Sequence, residues 1–287
     1  MIVGVKEILR KANEEGYAVG AFNTINLETT QAILEAAKEK NSPVIVQITE
    51  TTMNYAGGRA IFNIVKNIAE FYCNDIPVGI HLDHGKSFEI IQRAIDIGFD
   101  SVMYDGSRKK YEDNLLTTKK ISDFCKEKGI SLQAELGNVP YMKEVGSKEI
   151  NWDEYMTDPA QAEDFVKETD IYALAVAIGN AHAFTRERSE PDFERLESIN
   201  KRLNMPLIMH GASDWEEVNV KEAVMRGINC FNVDTASRVA FVSSLEKTIN
   251  CEGAVSFDVR KHLSQARDAV KDAVKHKIEI FGSEGKA

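Results

Sequence analysis

The sequence predicts an α/β protein built as a closed (β/α)8, or TIM, barrel with a helical extension at its C-terminal end. Three observations carry this: eight short apolar runs, amphipathic stretches alternating with them, and a length of 287 residues, close to the ~250 usual for such a barrel. The chain opens on a helical pattern over Val5–Glu15. The first apolar run is Tyr17–Phe22, and Leu27–Asn41 follows it as a helix with Leu27, Ala32, Ile33, Ala36 and Ala37 along one stripe. The runs Pro43–Ile48, Pro77–Leu82, Asp100–Tyr104, Ile130–Glu135, Ile171–Ile178, Pro206–His210 and Ile228–Val233 complete the eight. Each is short enough for a strand and mostly lacks polar alternation, as parallel strands buried on both faces do. Tyr111–Lys128 and Glu217–Arg226 read as further helices, and Gly98, Gly129 and Gly227 stand where helices should stop. Asp258–Phe281 is the helical tail. A doubly wound open sheet would need GxGxxG after its first strand, and GAFNTIN is not that motif. With no linker or composition break, residues 1–287 read as one domain. The long polar stretch 136–158 reads as a loop that lids the barrel mouth.

Composition excludes several classes. With 43% hydrophobic and 28% charged residues the chain is neither disordered nor low in complexity. No run approaches the ~20 apolar residues a membrane span requires. The N-terminal MIVGVKEILRKANEEG lacks a small-residue cleavage site and does not read as a signal peptide. Cys73, Cys125, Cys230 and Cys251 show no CxxC spacing, which fits a reducing cytoplasm. A net charge of −10 argues against nucleic acid and anionic membranes as partners, but not against a small anionic substrate.

Active sites of such barrels lie at the C-terminal ends of the strands. There the sequence places Asn23, His81-Leu82-Asp83-His84-Gly85, Asp105-Gly106-Ser107, Glu135, Gly179-Asn180-Ala181-His182, His210-Gly211-Ala212-Ser213 and Asn232-Val233-Asp234-Thr235. His84, His182 and His210 end strands three, six and seven and would converge across the mouth. Three imidazoles with an open fourth position are a catalytic Zn²⁺ arrangement. His262 and His276 lie on the helical tail and read as surface or packing residues, and His81 as a partner behind the ligands. Asp83, beside His84, is either an orienting carboxylate or, as we favour, a general acid/base. Asp105 and Glu135 could hold a ligand histidine, assist proton transfer or cap a helix. The loops after strands seven and eight, with Gly211, Ser213 and Thr235, and with Gly179 on strand six, suit a phosphate, although Ser213 or Thr235 alone could be a helix cap. None of the eight runs carries a lysine for Schiff-base chemistry. Lys86 reads as part of a solvated helix start.

Taken together, the segments Gly20–Ala37, Pro43–Gln47, HLDHG, SVMYDGS, AELG, TDPAQAEDFV, ALAVAIGNAH, DFERL, HGAS, NVDT and DVRKHLSQAR resemble the class II, zinc-dependent ketose-bisphosphate aldolases nearly end to end, and most of all the fructose-bisphosphate aldolases. The resemblance implies that His84, His182 and His210 bind one zinc ion and that Asp83 is the acid/base residue. It leaves open a monovalent cation beside the zinc. It further implies that Asn23 and Asn232 touch substrate, that Gly179, Gly211, Ser213, Asp234 and Thr235 surround the C1 phosphate, and that Arg238 reaches the distal phosphate in a neighbouring subunit. That last role implies a homodimer or higher homo-oligomer. The implied reaction is cleavage of fructose 1,6-bisphosphate to dihydroxyacetone phosphate and glyceraldehyde 3-phosphate. The chain departs from the family in three places. AELG is followed by NVPYMKEVG instead of a glycine-rich acidic segment. His182 is followed by Ala183-Phe184-Thr185-Arg186, with no phosphate-binding lysine, and strand two is followed by Thr49-Glu50-Thr51. These keep tagatose 1,6-bisphosphate or another ketose 1-phosphate as an alternative substrate. More remote is a metal-retaining sugar-phosphate sensor without catalysis, which would have no need of Asp83.

Overall fold

The computed structural model describes residues 1–140, 151–182, 190–250 and 257–287. Every apolar run forms a strand: β1 (Val19–Asn23), β2 (Val44–Thr49), β3 (Val78–Gly85), β4 (Ser101–Tyr104), β5 (Ser131–Leu136), β6 (Ala173–Val176), β7 (Leu207–Met209) and β8 (Ile228–Val233). Each pairs in parallel with its sequence neighbour, and β8 returns to β1, closing the barrel and leaving no sheet edge.

The helices are α1 (Val5–Glu15), α2 (Leu27–Glu39), α3 (Glu50–Ala56), α4 (Gly58–Tyr72), α5 (Phe88–Ile97), α6 (Tyr111–Glu127), α7 (Pro159–Thr169), α8 (Phe193–Leu203), α9 (Glu217–Met225), α10 (Thr235–Ile249) and α11 (Val259–Phe281). Caps set their ends. Asn26 and Thr29 form a reciprocal capping box on α2, and Gly98, Gly129 and Gly227 take φ of 124°, 69° and 108° after α5, α6 and α9. The stretch after β2, to which the sequence reading gave no helix bounds, forms α3 and α4 with a break at Gly57, φ 80°. One detail differs from the sequence reading: Leu27, at the first position of α2, is 45% exposed instead of joining the buried stripe.

The pleat sends alternate strand residues inward. At the lower end of the barrel, Val5, Ile8, Leu9 and Ala12 of α1 close the interior against Val19, Ala21, Ile45, Met103, Ala175, Ile208 and Cys230. Toward the C-terminal ends the interior turns polar: Gln47 pairs in register with His81, and Thr49 with Asp83. The α11 tail is part of the wall. Val270, Val274, Ile278 and Phe281 are buried, each side chain contributing about 1.5–3 kcal/mol, and Phe281 stacks on Phe231 at 4.6 Å. Cys73, Cys125 and Cys230 are buried free thiols, while Cys251 lies outside the described residues. Among the described residues no helix is long and apolar enough to cross a membrane.

The stretch expected to form a lid is described only at its two ends. The Asn138 amide donates to the Tyr155 carbonyl at 2.8 Å and the Thr157 amide to that of Ala177 at 2.8 Å, so both stems are tied down at the barrel mouth. Residues 141–150 lie outside the described set.

Candidate active site

Strict alternation along β3 would send Asp83 into the barrel and His84 out toward the helices. Instead the β3–β4 register shifts between Leu82 and Gly85, and His84 adopts the left-handed φ of 49°. The kink turns both neighbours to the mouth, and both line one cavity of about 570 Å³. Gly85 makes it possible: a Cβ there would stand 2.7 Å from the Met103 carbonyl oxygen. Backbone strain of this kind gathers at functional sites.

Around this kink the other predicted residues assemble. The rings of His84, His182 and His210 have centroids 5.7 Å (84–182), 4.6 Å (84–210) and 6.3 Å (182–210) apart. His84 Nε2 is 3.0 Å from His210 Nδ1, and its Nδ1 donates to Asp105 Oδ2 at 2.8 Å. Glu135 Oε2 stands 4.0 Å from that same nitrogen. Asp83, 4% exposed, accepts from Asn23 Nδ2 at 2.8 Å and Asn232 Nδ2 at 3.2 Å, so both its oxygens are fixed. His81 is buried one layer below, against the Ser101 hydroxyl at 2.8 Å. His276 pairs with Glu217 on the surface.

The local field favours positive charge at His84. Burial alone would lower its pKa, but the Asp83 charge, the Asp105 hydrogen bond and the Glu135 charge outweigh burial and raise it to about 10. Burial and the neighbouring His84 cation hold His182 at about 4 and His210 well below its usual range, so both are neutral with lone pairs available. Burial and the charge of Asp105 raise Glu135 to about 8. Burial opposes ionisation of Asp105 too, but the His84 hydrogen bond overrides it and keeps that carboxyl well below its usual range.

Such a donor set fits a divalent cation. The ligand atoms of Asp83, His84 and His210 lie within 4.8 Å of one another; His182 lies outside that group but lines the same cavity, its ring centroid 5.7 Å from that of His84 and 6.3 Å from that of His210. Tetrahedral zinc with nitrogens at ~2.1 Å separates its ligand atoms by about 3.4 Å, near the 3.0 Å found between His84 and His210. The Asp105–His84 contact is the carboxylate that orients a ligating imidazole. His84, Asp105 and Glu135 form a second cation-competent group on the other side of the same ring.

Asn23, Gly211, Ser213, Asn232, Asp234, Thr235 and Arg238 also line the cavity. Gly211, φ 63°, lets the loop after β7 approach the Ala181 carbonyl, which a Cβ would meet at 2.6 Å. Neither hydroxyl is a helix cap: Ser213 lies ahead of the Glu216 cap of α9, and Thr235 is the first residue of α10. Gly179 takes φ 103° but is not among the described residues lining the cavity. Arg238 pairs with Asp234 of its own chain at 2.7 Å. Sequence reasoning set aside Lys86, which lines the cavity, and did not single out Arg108, Asn138 or Val139, which also do. Their polar or small apolar character carries no signal until the loops converge. Arg186 lies outside the described residues.

A closed barrel with this imidazole–carboxylate cluster at its C-terminal mouth belongs to the class of barrels whose strand ends carry donors able to hold a cation. The family model described as fructose-bisphosphate aldolase class-II matches residues 3–286. A fructose-bisphosphate aldolase of Helicobacter pylori is 39% identical over 310 aligned positions, covering 100% of both chains. One from Staphylococcus aureus is 39% identical over 288, covering 100% of this chain and 99% of that one. Among solved structures, the YdjI aldolase of Escherichia coli K12 matches with a TM-score of 0.87 and 31% identity, over 100% of each chain. The chain belongs to the class-II fructose-bisphosphate aldolase family. It is an aldolase, a lyase of carbon–carbon bonds.

Proposed function

We propose that this aldolase cleaves fructose 1,6-bisphosphate reversibly, with one zinc ion held by His84, His182 and His210. The observation that carries this reading is the 3.0 Å approach of His84 and His210 beside an Asp83 fixed by two asparagines. Zinc, when bound, supplies Lewis-acid polarisation of a substrate oxygen. Asp83 accepts the C4 hydroxyl proton as the C3–C4 bond breaks. The bonding pair passes to C3, whose protonation completes dihydroxyacetone phosphate, and C4 leaves as the aldehyde of glyceraldehyde 3-phosphate. Asn23 and Asn232 keep Asp83 aimed, and Asp105 orients and charge-balances His84, with Glu135 beside the same ring nitrogen. Gly211, Ser213, Asp234 and Thr235 receive the C1 phosphate. Arg238 serves the distal phosphate of a neighbouring subunit, which makes the enzyme a homodimer or larger. Residues 136–158 act as a lid within a single domain 1–287, and the buried free thiols suit a cytoplasmic enzyme.

A second reading has specific support. Glu50, with Thr49 and Thr51, lines the cavity and adds negative charge where a second phosphate would have to fit. This favours a ketose 1-phosphate without that group; tagatose 1,6-bisphosphate carries the same two phosphates, and only the altered loop segments keep it as an alternative. Cleavage rates across these three substrate classes, with metal content measured on the same sample, decide between them. Zinc near one equivalent and preference for fructose 1,6-bisphosphate are expected. A preference above about tenfold for another ketose, roughly 1.4 kcal/mol in transition-state binding, overturns the first choice.

A further inference from the structure

Lys277 projects from α11 and is only 9% exposed. Its Nζ donates to the backbone carbonyl of Ser213 at 2.9 Å. Among the described residues it makes no direct ion pair. Burial lowers its pKa, and the charges of Asp214 and Glu217 only partly offset this. A buried ammonium spent on a neutral carbonyl is costly, and an apolar side chain of the same length would fill the space with less penalty. What the contact holds is therefore informative. Ser213 belongs to the loop that carries His210 into the imidazole cluster and Gly211 into the cavity wall. The helix behind it is a firm support: the Ala18 amide donates to the Phe281 carbonyl at 3.0 Å and the Ser42 and Ser283 hydroxyls meet at 3.0 Å. Fixing the Ser213 carbonyl fixes its whole peptide plane, including the amide of Asp214, because that unit is rigid.

We propose that Lys277 is a positioning residue, which from the C-terminal helix holds the Ser213 peptide in the shape that receives the substrate's C1 phosphate. It sets affinity at that end of the cavity and leaves the rate of carbon–carbon cleavage to the imidazole–carboxylate cluster. The inference rests on the phosphate end proposed above.

The test uses the zinc-loaded enzyme and its Lys277→Met and Lys277→Arg variants. Readouts are kcat, KM for the preferred sugar phosphate, binding of inorganic phosphate by calorimetry, and thermal midpoint. Lys277→Met should raise KM and weaken inorganic phosphate by about tenfold or more while kcat stays within about threefold. Lys277→Arg, which keeps the charge and a donor, should recover most of the phosphate affinity. If Lys277→Met does not fold, Lys277→Gln, whose side chain is one bond shorter and falls short of the Ser213 carbonyl, should show the same split between KM and kcat. A lowered midpoint with unchanged KM and phosphate affinity makes the residue purely structural and overturns the inference. So does a loss confined to kcat. If the wild-type enzyme turns over a sugar phosphate but does not bind inorganic phosphate, the phosphate end itself is misplaced, and this inference falls while the aldol chemistry stands.

Discussion

Asp83 and His84 are sequence neighbours that meet the substrate end of the barrel together because one of them takes a left-handed backbone. Their roles separate under substitution. Asp83→Ala should retain zinc and lose about 10²–10⁴-fold in turnover, the usual worth of a general acid/base. His182→Ala should lose both zinc and turnover. Elemental analysis beside the rate assay checks the pair, and an Asp83→Ala rate within a few-fold of wild type would dismiss the proton-transfer role. Asp105→Asn should weaken zinc by about 10–100-fold through the orientation of His84, read by competition with a chelator. His81 offers a pH test away from the metal. Burial lowers it to about 4 in the folded protein, below its usual ~6.5. Its contribution to stability is therefore present above pH ~6.5 and is lost as the pH falls through about 4, because the unfolded chain binds the proton first. Metal-free protein should lose stability across that window, by up to about 3 kcal/mol from His81. In His81→Gln, denaturant titrations should show a shallower slope, and an unchanged slope would exclude this source.

At the scale of elements, the kink at the end of β3 and the loop after β7 decide where the ligands stand. Gly85→Ala would press a methyl group against the Met103 carbonyl at 2.7 Å. It should cost about 1–3 kcal/mol of stability and displace His84, so zinc affinity should fall with the melting temperature. The strands themselves were legible in the sequence because strands buried on both faces carry unbroken apolar runs. The α3–α4 break at Gly57 was less so, since amphipathic periodicity continues on either side of it. Leu27 fits the apolar stripe of α2 by spacing alone, yet its position at the first turn leaves it outside the packed layer. Nothing in the sequence separates Lys277 from the other lysines of the tail; its burial appears only when α11 packs behind the β7 loop.

For the whole molecule, the open question is whether sites borrow residues. Arg238 pairs with Asp234 within its own chain, whereas the proposed assembly sends it to a neighbour. Mixing Arg238→Ala with Asp83→Ala subunits separates these cases. If Arg238 acts across an interface, each mixed dimer regains one complete site, and activity should rise well above that of either parent. No recovery, with mixed dimers shown to form, places Arg238 in its own site.

The sequence by itself determined the barrel, the eight strands and the polar residues that end them, because strand burial and strand ends leave a direct mark on residue order. Only the tertiary structure decided which of those ends meet. It turned His84 inward through a backbone kink and brought Lys86, Arg108 and Lys277 to or behind the cavity wall. Distances across a closed sheet depend on register and bulges, and neither is written in the spacing of any single segment.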